Sequence, residues 1–250
     1  MTILANCATK QRRMLCFTGF SLTNNYHNIH RKSLAPITDA GELSFPSNDI
    51  GAVRKLLALC PAHEATPLFQ HQELENLSEV QSVWIKDERD RMGLGSFKAL
   101  GAAYAIAKAA AAGPVEGVTF VTASAGNHGM AVAAGARIFG AQCRIHLADT
   151  VPEAFAVRLR AKGASVVRSG DTYEASVAAA VQDAAETGAI HLADGSWPGY
   201  TEPPRLVMEG YTVIAAEMRA EFAAQDTWPS HVCLQAGVGG LAAAIAYMIR

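Results

Sequence analysis

Lys98 sits in Gly95-Ser96-Phe97-Lys98-Ala99-Leu100-Gly101, directly after the turn-forming Gly93-Leu94-Gly95 and at the head of an apolar stretch. A lysine amine is a poor nucleophile at its ordinary pKa, and an apolar or cationic setting makes it a useful one. Phe97, Ala99 and Leu100 supply such a setting. Two glycine-rich turns follow, Ser124-Ala125-Gly126-Asn127-His128-Gly129 and Gly237-Val238-Gly239-Gly240. Bare backbone N–H groups at a strand-to-helix turn form an anion cradle, and glycine lets a phosphate come close. A carbonyl-trapping lysine with a phosphate cradle and a second turn for a ring or a substrate meets the needs of pyridoxal 5'-phosphate (PLP) chemistry. Taken alone, Lys98 also reads as a solvated residue at a helix start, although cations are disfavoured there.

Each turn has an alternative reading. Gly237-Val238-Gly239-Gly240 lacks the Gly-Lys-Ser/Thr of a Walker A loop, and Ala242 holds the place of the third glycine in the dinucleotide fingerprint. Asn127 offers a donor and an acceptor suited to a phenolate oxygen, or it caps the helix. Ser124 and the N–H groups of Ala125 and Gly126 suit a substrate carboxylate. His128 reads as a first-turn surface residue. Asp194, in Ala193-Asp194-Gly195-Ser196-Trp197-Pro198-Gly199-Tyr200, could orient or protonate an amine, or form an Asx turn. Asp87, Glu88, Arg89, Asp90 and Arg91 read as a solvated loop with internal ion pairs.

The elements that must position these residues alternate along the chain. Strands are expected over 82–86, 118–122, 144–147, 165–168, 190–193 and 231–234. Helices are expected over 97–112, 128–139, 152–162, 173–186, 204–222 and 241–250, with Gly113-Pro114 stopping the first. Repeated β-α units imply an α/β fold with a mostly parallel sheet covered on both faces. Ligands of such folds bind beyond the carboxyl ends of the strands, where the glycine turns fall. The last apolar helix follows its turn with no strand after it to cover it, which reads as a sheet left incomplete at its C-terminal end.

Composition narrows the classes further. The chain has 250 residues, 50% of them hydrophobic, enough for a substantial core. A formal charge of -2 with no basic run argues against nucleic acid or a membrane surface as partner, and no apolar run approaches a membrane span. Cys7, Cys16, Cys60, Cys143 and Cys233 are scattered without CxxC pairing. Reduced thiols in a cytoplasmic protein, with no metal site, fit that pattern. Before Asp39 there is no acidic residue, while Lys10, Arg12, Arg13, Arg31 and Lys32 are basic. Residues 1–40 are therefore expected to be a poorly ordered or leader-like segment.

The order of these motifs resembles the fold-type II PLP enzymes, the tryptophan synthase β-like superfamily, and within it the diaminopropionate ammonia-lyase branch. The likeness runs from about residue 50 onward. It is carried by Thr66-Pro67-Leu68, by Lys86-Asp87-Glu88 leading into Arg91 to Gly101, and by Ser124 to Gly129. Val151-Pro152-Glu153, Asp194 to Pro203, Met208-Glu209-Gly210-Tyr211 and Gln235 to Leu241 extend it. The resemblance implies that Lys98 binds PLP as a Schiff base, Asn127 contacts the ring oxygen, and Gly237, Val238, Gly239 and Gly240 cradle the phosphate. Ser124, Ala125 and Gly126 would meet the substrate, and Asp194 matches a family aspartate beside it. A large PLP-binding domain, incomplete at its C-terminus, is expected from 41–105 and 205–250, and a small α/β domain from 106–204. The implied reaction eliminates the β-amino group of 2,3-diaminopropionate, giving pyruvate and ammonia by way of aminoacrylate, and a homodimer is the assembly the likeness implies. Some members carry an aspartate, serving the D-isomer, where this chain has Ala125. Threonine and serine dehydratases share the Ser-Ala-Gly-Asn-His-Gly turn, so that activity stays open beside the lyase, as does a truncated, non-catalytic protein of the same fold.

Overall fold

A computed structural model describes residues 2–6 and 45–249. Two four-stranded sheets organise them. In the first, β1 (Thr2–Asn6), β2 (Leu68–Gln70), β3 (Ser82–Lys86) and β8 (His231–Cys233) lie in the order β2-β3-β1-β8. In the second, β4 (Thr119–Thr122), β5 (Gln142–Leu147), β6 (Ser165–Arg168) and β7 (Ile190–His191) lie in the order β6-β5-β4-β7. The helices are α1 (Ile50–Leu57), α2 (Gln72–Ser78), α3 (Lys98–Ala112), α4 (Asn127–Ile138), α5 (Glu153–Ala161), α6 (Tyr173–Thr187), α7 (Glu202–Ala224) and α8 (Gly240–Ile249).

The α/β architecture expected from the alternating pattern holds, and the second sheet is parallel throughout, with Val121 opposite both Arg144 and His191. The first sheet departs from expectation, because every pairing in it is antiparallel: Thr2 faces Lys86, Ile3 faces Cys233 and Leu68 faces Lys86. β2 and β3 are joined only through the short α2, and a short connection turns the chain back on itself where a parallel pair needs a full crossover. The strand at residues 2–6 lies inside the stretch expected to be poorly ordered or leader-like; the rest of that expectation, 7–40, falls outside the described residues. Among the described residues no helix is long and apolar enough to cross a membrane.

Apolar side chains of α3, α4 and α7 meet those of the parallel strands in one core that includes Leu100, Ile106, Phe120, Ile145, Leu159, Val207 and Ile214. Residues 99–107 of α3 are buried all round, and so are residues 209–215 of α7. Helices buried on every side must approach closely, and here glycine allows it. A Cβ on Gly210 of α7 would lie 2.5 Å from the Leu100 carbonyl oxygen and 2.9 Å from Gly101 Cα. This crossing lies within the first turn of α3, the turn that Lys98 begins.

Candidate functional site

The segment between β3 and α3 delivers Lys98. Lys86, Glu88 and Arg91, which the sequence placed at or near a solvated loop, are buried, and Arg91 is fully so. The Arg91 guanidinium donates to Glu88 Oε2 (2.8 Å) and Oε1 (2.7 Å), to Glu217 Oε1 (2.9 Å) and Oε2 (2.7 Å), to the Glu64 carbonyl (2.6 Å) and to Thr66 Oγ1 (2.9 Å). Lys86 Nζ bonds the Thr66 carbonyl and pairs with Glu217, each at 2.5 Å. Two cations face two carboxylates, so the charges balance where an unpaired one would be costly. Burial opposes the Arg91 charge, and the hydrogen bonds to Glu88 and Glu217 more than restore it, holding its pKa above the ordinary value. Only Asp87 and Arg89 form the local surface pair that was expected, at 2.6 Å. From Arg91 the backbone passes through left-handed Met92, Gly93 and Gly95 into Lys98, the first residue of α3.

Lys98 Nζ hydrogen-bonds Asp194 Oδ2, and both side chains are about one-fifth exposed. Asp194 follows β7, 96 residues away in sequence, so the fold brings the two together. Burial pushes the Asp194 carboxyl up, but charge and the Lys98 hydrogen bond outweigh it and leave the carboxyl below its ordinary value. A protonated His128 would add to that pull. Burial, however, drives His128 below its own ordinary value, which leaves Lys98 as the counter-charge at neutral pH.

The turn between β8 and α8 meets this pair. A Cβ on Gly240 would lie 3.9 Å from the Asp194 carbonyl oxygen. Gly239 has φ +89°, a left-handed conformation that favours glycine, and no atom crowds Gly237. The first-turn N–H groups of α8 have no intrahelical acceptor. A cavity of about 440 Å³ lies above them, lined by Asp194, Ser196, Val238, Gly239, Gly240 and Tyr247 among others. Tyr211, sandwiched between Gly101 and Gly240, carries a fully buried hydroxyl without a hydrogen-bond partner. Burial, with Asp194 nearby, pushes its pKa well up, so it stays a neutral donor.

The Ser124–Gly129 turn joins β4 to α4. A Cβ on Gly129 would meet the Ser124 carbonyl oxygen at 2.1 Å, so the tight return requires glycine. Asn127 is exposed and is the first residue of α4; Gly126 is the N-cap, which removes the capping role considered for Asn127. Ser124 and Ala125 are half-buried and Gly126 is exposed. His128 is not the surface residue expected: it is 5% exposed, and its Nε2 lies 2.8 Å from the Leu192 carbonyl, two residues before Asp194. Periodicity could not reveal this, because the partner sits on another element.

Comparison with known proteins gives a consistent family. Residues 59–250 match the family model described as pyridoxal-phosphate dependent enzyme. Diaminopropionate ammonia-lyase of Escherichia coli (strain K12) is 31% identical over 225 residues, covering 82% of this chain and 56% of the relative. An L-threonine dehydratase of Haemophilus influenzae is 32% identical over 207 residues, covering 82% of this chain and 37% of that protein. Among solved structures, holo diaminopropionate ammonia lyase from Escherichia coli superposes with a TM-score of 0.76 at 30% identity, covering 84% of this chain and 58% of that one. The chain thus spans little more than half the length of the lyases it matches.

Proposed function

Because the chain belongs to the pyridoxal-phosphate dependent enzyme family, we propose that it is a carbon–nitrogen lyase acting on 2,3-diaminopropionate. The observation that carries this reading is the contact of Lys98 with Asp194, which itself lines a cavity together with Gly239 and Gly240. The residues present suit the cofactor. About 440 Å³ lies within the usual range of small-molecule sites, about 300–1,000 Å³. The turn leaves backbone donors at Gly237 and Gly239 uncrowded for a phosphate. Lys98 would hold PLP covalently, Gly237 to Gly240 its phosphate, and Asn127 its ring oxygen. Once bound, PLP supplies an electron-withdrawing ring that stabilises negative charge at the substrate Cα.

The chain's own residues supply the rest. Ser124 and the N–H groups of Ala125 and Gly126, at the start of α4, would seat the substrate carboxylate. The Lys98 amine, freed from Asp194, would take the α-proton of an L-substrate. Asp194, ionised as its lowered pKa requires, would orient the departing β-amino group. The overall balance is one diaminopropionate and one water giving one pyruvate and two ammonia. Ala125 has only a methyl group and cannot take the proton of a D-substrate. The large domain is read as 41–105 with 205–250 and the small one as 106–204; β2, β3 and β8 fall in the first range and β4 to β7 in the second, while β1 lies outside both. A cytoplasmic homodimer completes the reading.

A threonine/serine dehydratase is the second reading, favoured by Ala125, which leaves the Ser124–Gly129 turn without a carboxylate. Purified protein with PLP, assayed for pyruvate from L-diaminopropionate and for 2-oxobutyrate from L-threonine, separates the two. Pyruvate is expected from the L- but not the D-isomer, with loss of activity in Lys98→Ala. Faster 2-oxobutyrate formation would transfer the assignment to the dehydratase. Absence of both products and of the visible absorbance of lysine-bound PLP would leave a non-catalytic protein of this fold.

A further inference from the structure

The stretch Trp197-Pro198-Gly199-Tyr200 closes a tight turn. Proline fixes φ at its second position, and Gly199, with φ +81°, supplies the left-handed third position of a type II turn. The Trp197 N–H donates to the Tyr200 carbonyl (3.3 Å), and the Tyr200 N–H donates to the Trp197 carbonyl (2.9 Å). The turn stacks the Trp197 ring on the Tyr200 ring, with centroids 4.2 Å apart and planes 12° from parallel. Held this way, the Tyr200 side chain is directed back along the chain. Its hydroxyl accepts from the Ala193 N–H (2.9 Å) and donates to the His191 carbonyl (2.8 Å).

These two bonds straddle Leu192, whose N–H donates to the Val121 carbonyl at 2.8 Å and whose carbonyl meets His128 Nε2. The backbone leading into Asp194 is therefore held from three directions: a strand, a buried histidine and a tyrosine hydroxyl. Asp194 projects from the end of that bracket, and its carboxylate touches Lys98.

We propose that Tyr200 is a positioning residue, whose hydroxyl bracket around Leu192 holds the Asp194 carboxylate on Lys98 and so limits access to the lysine nitrogen. The inference rests on the assignment of Lys98 as the reactive amine of the site. A carboxylate hydrogen-bonded to the lysine nitrogen occupies and shields it, so loosening the bracket exposes Lys98 to a reagent. The effect passes through Asp194, since no bond joins Tyr200 to Lys98 directly. A purely structural tyrosine would alter stability and leave Lys98 reactivity as it is.

Tyr200→Phe keeps the ring on Trp197 and removes both hydroxyl bonds. The readout is competitive acetylation of Lys98 against the other lysines, by peptide mass spectrometry, from pH 6 to 9 on protein without added cofactor. Lys98 acetylation near neutral pH is expected to rise at least about threefold in Tyr200→Phe, and to rise similarly in Asp194→Asn. In the double variant the tyrosine change should add nothing further, because its route through Asp194 is gone. An unchanged Lys98 profile in Tyr200→Phe overturns the proposal, and so does a full-sized effect in the Asp194→Asn background. Should Tyr200→Phe fail to fold, hydrogen exchange of the Ala193 amide in the unaltered protein decides: strong protection supports the bracket, and exchange at an unstructured rate refutes it. PLP followed by borohydride trapping is a separate arm. Failure to trap at Lys98 would remove the lyase reading while leaving the acetylation result to judge the bracket.

Discussion

Replacing Gly210 by alanine should weaken this protein, although alanine is the better helix former. In an open helix the change would gain about 1 kcal/mol of helix propensity. At Gly210 the new methyl would lie 2.5 Å from the Leu100 carbonyl oxygen and 2.9 Å from the Leu100 carbonyl carbon and Gly101 Cα. All three are backbone atoms of α3, so no rotamer change relieves the contact and the two helices must separate. Overpacking of this kind costs about 1–3 kcal/mol, and rigid partners put it at the upper end. The difference is a net loss of about 2 kcal/mol, or about 4–8 °C in melting temperature for a chain of this size. Gly135→Ala supplies the internal comparison. Its closest contact is Ile106 Cδ1 at 2.9 Å, the tip of a flexible side chain, so strain and propensity nearly cancel and stability should change by less than about 1 kcal/mol. Calorimetry of both variants tests the contrast. A Gly210→Ala protein as stable as the parent, or a Gly135→Ala protein harmed equally, would refute the close crossing. Because Gly101 is in the first turn with Lys98, weaker uptake of PLP should accompany the loss in Gly210→Ala alone.

Two further outcomes follow from the charges. Arg91→Met leaves Glu88 and Glu217 facing Lys86 alone, and breaking a buried network from one side costs about 3–5 kcal/mol. Urea unfolding should show it, while Arg89→Met at the exposed pair with Asp87 should change little. Stability should also fall as pH drops from 7 to 5. Burial lowers the pKa of His63, His128 and His191, so below about pH 6.5 the unfolded chain binds more protons than the folded one. Glu217 adds to the fall at lower pH: burial raises its pKa, yet Arg91 and Lys86 leave it depressed, so its contribution is lost as the carboxylate protonates. Unfolding free energies measured at pH 7, 6 and 5 would contradict this if they were equal.

Much of the fold was legible in order along the chain. Alanine-rich stretches and β-branched runs carry their own periodicity, so α3 to α8 and β3 to β8 lie close to where the pattern put them. The short α1, β2 and α2 were not foreseen, since three to eight residues give too little periodic signal, and β1 fell in a stretch that reads as a basic leader. Pairing direction in the first sheet depends on which strands meet, and local pattern does not encode that.

The site divides in the same way. Local chemistry determined Lys98 at a helix start, the glycine turns at strand ends and a loop aspartate at 194, because turn geometry and backbone donors are properties of a few adjacent residues. Tertiary structure decided the rest. Arg91 looked solvated until Glu217, 126 residues away, was placed beside it, and His128 looked exposed until the Leu192 carbonyl met it. Lys98 acquired its carboxylate, Tyr200 its backbone partners and Gly210 its close neighbour in the same way. Burial and ion pairing belong to pairs of groups, and a sequence read in order holds only one member of each pair at a time.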